Sequence, residues 1–204
     1  MKKINVHVEF IEGVLGTANA DKDIHSEFIA SKAPDAKSLK EEVEAIGVEE
    51  VERKATTVFP RDEDDDPIFW DYQWKGFFKD SCAALRKVKD TECSKIKAFK
   101  KEIDGLIFPQ PRKIKISIPE GKEISLCQRP LRAQTLQGER VALASSEEIP
   151  EGATCDFSIT ILKDDLLPMI EECLKYGELR GMGQWRNSGK GRFVVTIKSE
   201  GEAQ

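Results

Sequence analysis

The stretch GELRGMGQWRNSGKGRFVVTI, residues 177–197, sets Gly181, Gly183, Gly189 and Gly191 in a symmetrical G-x-G-x5-G-x-G frame around Trp185, Arg186, Asn187 and Ser188. Glycine tolerates positive φ and lets another backbone approach where a Cβ would stand. Two phosphate-binding loops are excluded by spacing. The dinucleotide form G-x-G-x-x-G fails because Arg186 occupies its third glycine position and because the loop runs from a helix into a strand. The Walker form fails because five residues separate Gly183 from Gly189 and Lys190 is followed by Gly191. Two readings remain. In one, free amides form an anion nest flanked by Arg180, Arg186, Lys190 and Arg192, with Trp185 at the apex as a stacking platform. In the other, the glycines make a tight turn against a sheet and Trp185 plugs an apolar gap.

The surroundings of the loop define its place in the fold. Upstream, DDLLPMIEECLKYGEL predicts a helix that starts at Asp164 and Asp165, tolerates Pro168 in its first turn and ends at Gly177 or soon after. Before it, Cys155, Phe157, Ile159 and Ile161 alternate as in a strand, entered by a turn at Pro150 and Gly152. Downstream, RFVVTI closes as a final strand. At the N-terminus Ile4, Val6, Val8 and Phe10 alternate with Asn5, His7 and Glu9, the pattern of a strand with one buried face. Trp74, Phe77, Phe78, Cys82 and Leu85 form a helical apolar stripe, and residues 124–144 read as two strands or one long hairpin carrying Arg129, Arg132 and Arg140. Strand, helix, glycine-rich loop and strand, in that order, predict an α+β chain with a ferredoxin-like or RNA-recognition-motif-like core: an antiparallel sheet with helices on one face, plus insertions.

Charge is unevenly spread. The formal charge is −5, yet residues up to Trp70 hold 9 Lys+Arg against 17 Asp+Glu, and the remainder holds 23 against 20. An anionic partner is therefore expected to dock on the second part of the chain. Residues 35–66 read as an acidic surface insertion within one domain spanning 1–204. Its run of acids at 62–66 lacks the alternating ligands, glycine and terminal Glu of an EF-hand, so no metal is expected. The five cysteines are widely spaced without a C-x2-C pair, which indicates neither a zinc site nor a disulfide framework. No cofactor is expected. The opening MKKINVHVEF lacks the features of a signal peptide and no apolar run approaches membrane-spanning length, so the expectation is a cytoplasmic protein with no membrane partner.

On these residues the sequence resembles the RAMP superfamily, the RNA-holding subunits of CRISPR effector complexes. The resemblance rests on Gly181, Gly183, Gly189 and Gly191 placed after a helix and before the last strand, with Arg192-Phe193 following. A second element, Lys75-Gly76-Phe77-Phe78-Lys79 with Arg86 further on, is similar to a basic-glycine segment of those proteins, as is the strand IPEGATCDFSITIL. The resemblance implies a ferredoxin-like core and RNA binding at the glycine loop. The expected RNA contacts are Gly181, Gly183, Trp185, Arg186, Asn187, Gly189, Lys190, Gly191 and Arg192, with Lys75, Lys79, Arg86, Arg129 and Arg132 extending the basic face. It also implies RAMP-type protein subunits or self-association as partners; an alternative role is a protein-interaction subunit or mimic that docks on or inhibits such a complex, and a third is a metal-independent endoribonuclease.

Some members cleave RNA without metal through an acid and a base, often including histidine. This chain has only His7, on a strand, and His25, in a loop; His25 is the one candidate, and a non-catalytic binder is the expectation.

Overall fold

The computed structural model describes residues 1–19, 56–135 and 138–199. The alternation at the N-terminus becomes strand β1 (Lys2–Phe10), whose Ile4, Val6, Val8 and Phe10 are buried on one face. Ten further strands and four α-helices follow among the described residues. They are β2 (Val14–Leu15), β3 (Ala18–Asn19), β4 (Thr57–Val58), β5 (Ile68–Trp70), α1 (Asp71–Leu85), α2 (Glu92–Lys95), α3 (Phe99–Leu106), β6 (Ile107–Gln110), β7 (Lys113–Lys115), β8 (Ser125–Thr135), β9 (Gly138–Ile149), β10 (Thr154–Ile161), α4 (Leu167–Arg180) and β11 (Phe193–Ser199).

The main sheet runs β11-β1-β10-β6, with every neighbouring pair antiparallel. Strands β1 and β6 both oppose β10, so they run parallel to each other with β10 between them, and α1 lies on the connection. Strands β10 and β11 are related in the same way through β1 and α4. Two such split βαβ units sharing one sheet make the ferredoxin-like arrangement. Val6 stands opposite Phe157 and Ile197, which fixes one apolar face across three strands.

Helices α1 and α4 cover that face. Trp74 of α1 is fully buried, with ring centroids 4.4 Å from Phe157, 5.6 Å from Phe193 and 6.1 Å from Phe69. Met169, Ile170, Cys173 and Leu174 supply the matching stripe of α4. A fully buried side chain of this size contributes about 1.5–3 kcal/mol, so this aromatic cluster outweighs any surface ion pair described below. Cys93 and Cys173 are buried free thiols with sulfurs 3.6 Å apart.

The long segment before residue 150 forms a hairpin, β8 and β9, in register from Ser125 opposite Glu148 to Thr135 opposite Gly138. Strand β9 also pairs β2, and it pairs β4 in parallel, building a second sheet beside the N-terminal turn. Of the acidic segment, residues 35–55 lie outside the described residues. In residues 61–66 the Asp62 carboxylate accepts the amides of Asp64 and Asp66, and Lys113 and Lys115 pair with Glu63 and Asp66. Asp62, Asp64 and Asp66 bring oxygens within 4.8 Å of one another, in a turn these bonds already explain. No helix among the described residues is long and apolar enough to cross a membrane.

The start of α4 is corrected and its end is sharpened. A 3-10 turn over Asp164–Leu166 precedes the helix, which begins at Leu167 with Pro168 in its first turn, where the missing N–H is tolerated. The helix ends soon after Gly177, at Arg180, as expected, and Gly177 itself is not the stop. It sits inside the last turn, where a Cβ would stand 2.2 Å from the Phe193 ring, and Gly181 at φ 71° supplies the stop.

Candidate nucleic-acid interface

The glycine loop is drawn shut at its neck. Met182 N donates to Gly191 O and Gly191 N to Gly13 O, both at 2.9 Å, which ties the loop to itself and to the turn between β1 and β2. Gly181, Gly183, Gly189 and Gly191 all hold positive φ, from 71° to 89°. A Cβ on Gly181 would lie 2.6 Å from the Gly191 carbonyl carbon, one on Gly183 2.6 Å from Leu15 O, and one on Gly191 1.9 Å from Met182 O. Only Gly189 has room, with its nearest neighbour at 3.8 Å. The amides of Gly181, Met182, Ser188, Gly189 and Gly191 are spent on backbone carbonyls. Backbone packing therefore accounts for this glycine frame without any ligand.

The cations around it are also engaged. One carboxylate oxygen of Asp80, on α1, receives Arg186 at 2.7 Å and Arg180 at 3.1 Å. Lys190 meets Glu148 at 2.5 Å and Arg192 meets Glu12 at 3.1 Å. The hydrogen bond that Lys190 donates to the Glu148 carboxylate raises its pKa above the usual lysine range. Asn187 accepts from Arg180 at 3.0 Å. Trp185 is a non-glycine residue at φ 54°, and 42% of its surface is exposed. The Arg129 guanidinium lies 5.3 Å from its ring centroid.

The remaining basic residues spread over other surfaces. Arg129 is only 5% exposed and spans from Ser146 Oγ (3.0 Å) to Gln184 Oε1 (2.8 Å), joining the base of the hairpin to the glycine loop. Lys75 and Lys79 turn toward α3, where Lys75 donates to Asp104 O and Lys79 pairs with the Asp104 carboxylate. Arg86 stacks over Phe99. Arg132 lies on β8, with its side chain outside those described. His25 lies outside the described residues. His7 bonds Asp156 at 2.8 Å on the open sheet face.

That open face carries a shallow cleft of about 740 Å³, lined by Asn5, His7, Pro111, Asp156, Ser158 and Lys198 among others. It lacks the central aromatic pair on which RNA-recognition motifs stack bases. The helix side is different. Between α1 and the glycine loop runs a smaller groove of about 230 Å³, lined by Thr17, Phe69, Gln73, Gly76, Phe77, Asp80, Met182, Gly183 and Arg186. Here the tertiary structure brings the Lys75–Lys79 segment, through Gly76 and Phe77, against the loop, through Gly183 and Arg186. The sequence reading missed Asp80, Glu148 and Glu12. Their separations from the cations they hold, such as 106 positions between Asp80 and Arg186, give no periodic signal.

Gly76 is the exposed anomaly of this groove. It lies in the interior of α1, where glycine is a poor choice, and a Cβ there would meet nothing within 4 Å. Gly76→Ala is expected to stabilise the fold by about 0.5–1 kcal/mol, read by urea denaturation. A loss of stability would show that the glycine has a packing role.

No family model matches the sequence, and no curated protein does either. Solved structures do resemble it. A chain of the Type III-B Cmr-beta complex, determined by cryo-EM bound to cognate target RNA, aligns over 97% of this chain with a TM-score of 0.52 and 13% identity. The chain shares the fold of that Cmr-beta complex subunit. It spans 60% of the length of that Cmr-beta chain. Oligomeric Cmr4 from Pyrococcus furiosus matches at 12% identity and a TM-score of 0.48, covering 98% of this chain and 99% of its own. A chain of a Type IV-B CRISPR complex matches at 10% identity and a TM-score of 0.47, with 99% and 92% covered. In this fold the glycine loop closes one wall of the groove and α1 forms the other.

Proposed function

We propose that the chain is a CRISPR-associated RAMP protein that holds single-stranded RNA in the groove between α1 and the glycine loop. The observation that carries this reading is the meeting of Gly76 with Gly183 and Arg186 across one groove. A side chain is absent from the middle of one wall, at a cost to helix stability, and a guanidinium stands on the other. Such an opening admits a sugar-phosphate backbone close to α1 while Arg186 reaches a phosphate oxygen. Asp80 is then a resident counter-ion. It holds Arg180 and Arg186 in place in the free protein and yields them when a phosphate arrives, at the energetic cost of two part-buried ion pairs that the phosphate contacts replace. Trp185, half exposed at the loop apex, offers a face to a base.

The test is fluorescence anisotropy with a labelled single-stranded RNA across a salt series. Arg186→Ala/Lys190→Ala is expected to weaken binding about tenfold or more at low salt and to flatten the log–log salt slope by about 1.4, two phosphate contacts at roughly 0.7 each. Asp80→Asn is expected to tighten it, since the arginines lose their competitor. Unchanged affinity and slope in the double variant would sink the assignment.

A second reading, a subunit or mimic that docks on an effector complex or on other RAMP-type subunits, is favoured by the matching of Arg180, Arg186, Lys190 and Arg192 to internal carboxylates. It predicts weak RNA binding together with co-purification of an effector complex. The chain is read as a binder, with no catalytic role given to His25.

A further inference from the structure

Beyond the groove, at the N-terminal end of α1, two aromatic side chains and two cations converge. Trp70 and Tyr72 lie nearly parallel, at 11° with centroids 6.3 Å apart. Tyr72 is 57% exposed. The Arg112 guanidinium lies 5.9 Å, and the Lys113 ammonium 6.0 Å, from the Trp70 ring centroid. Lys113 pairs with Glu63, whereas Arg112 is exposed and has no carboxylate partner among the described residues. That contrasts with the cations of the glycine loop, which are matched to acids.

The cluster is continuous with the groove. Gln73 accepts the Trp70 amide at 2.7 Å and donates to Thr17 Oγ1 at 3.0 Å, and both Gln73 and Thr17 line the groove wall. A strand leaving the groove toward the start of α1 therefore meets an exposed aromatic ring near a guanidinium that no carboxylate among the described residues holds. An aromatic face for a base and a cation for the adjoining phosphate are the two parts that sequence-tolerant single-strand binding requires.

We propose that Tyr72, backed by Trp70, is a base-stacking platform for single-stranded RNA at the mouth of the groove, with Arg112 meeting the neighbouring phosphate. The proposal rests on the RNA-binding reading and extends the site to a surface that neither the glycine loop nor the Lys75–Lys79 segment includes. Charge complementarity chooses the occupant. An aromatic face beside a cation without a carboxylate partner among the described residues suits an anionic polymer of planar bases better than an apolar peptide.

The test uses the full chain and a labelled 12-nucleotide uridylate RNA, with circular dichroism to confirm folding of each variant. Tyr72→Ala is expected to weaken binding roughly 5- to 100-fold, and Tyr72→Phe, which keeps the ring, to stay within about twofold of the unsubstituted chain. Arg112→Ala is expected to lower the salt slope by about 0.7. If Tyr72→Ala binds as tightly as the unsubstituted chain while Arg186→Ala/Lys190→Ala weakens it, the platform is wrong and the groove stands. If Tyr72→Phe is as weak as Tyr72→Ala, the hydroxyl and not stacking is responsible, which also overturns the platform. If the unsubstituted chain does not bind this RNA, both assignments fall. If Tyr72→Ala instead removes only the association with a protein partner, the surface is a protein contact and the RNA platform is overturned.

Discussion

Gly191→Ala is expected to destabilise the chain by about 3 kcal/mol or more, enough to leave a large unfolded fraction at moderate temperature. Two costs add. At φ 71° an alanine pays roughly 1–2 kcal/mol for left-handed backbone alone. Its Cβ would then stand 1.9 Å from Met182 O, and that carbonyl belongs to backbone that Met182 N anchors to Gly191 O. The neck of the loop has to open. The control is Gly189→Ala, which has a similar φ of 89° but no neighbour nearer than 3.8 Å, so it carries the conformational cost without the collision. Paired urea titrations separate the two terms. If the two variants are equally stable, the tight neck described here is wrong.

Arg129→Ala is expected to cost about 2–4 kcal/mol, because hydrogen bonds from a buried charged group are worth roughly 1.5–3 kcal/mol each before compensation. The substitution leaves Gln184 without its donor and removes the guanidinium lying over Trp185. Ser146 keeps its bond to Thr57 at 2.6 Å, which limits the damage at that end. Arg129→Lys is not expected to rescue it, since one ammonium does not reproduce a fork that reaches two partners. The measurement discriminates between roles. A structural arginine lowers stability in the absence of RNA, and RNA affinity falls only as the loop loses its anchor. An arginine acting on phosphate would leave stability intact and change the salt slope.

The legible and illegible parts of this protein divide by range. Periodicity carried the β1 face, the α1 stripe and β10, because each is a local pattern that burial on one side imposes on consecutive residues. The ends of α4 were less legible. A glycine reads as a stop from sequence, whereas Gly177 is there to admit the Phe193 ring from another element. The basic residues of the expected interface were read correctly as basic. Their destinations were not readable, since Lys75 and Lys79 turn to Asp104 and Arg129 is buried against Ser146 and Gln184.

For the opening glycine frame, the sequence by itself determined that the loop is no nucleotide fingerprint and that it joins a helix to the last strand. Spacing and chain order suffice for that. Which partners the loop touches was decided only by tertiary structure. Gly183 lies against Leu15, Gly191 against Met182 and Gly13, and Arg186 beside Asp80, contacts that mostly bridge residues more than 100 positions apart. Glycine's missing Cβ is a permission for close approach, and only the fold determines what approaches.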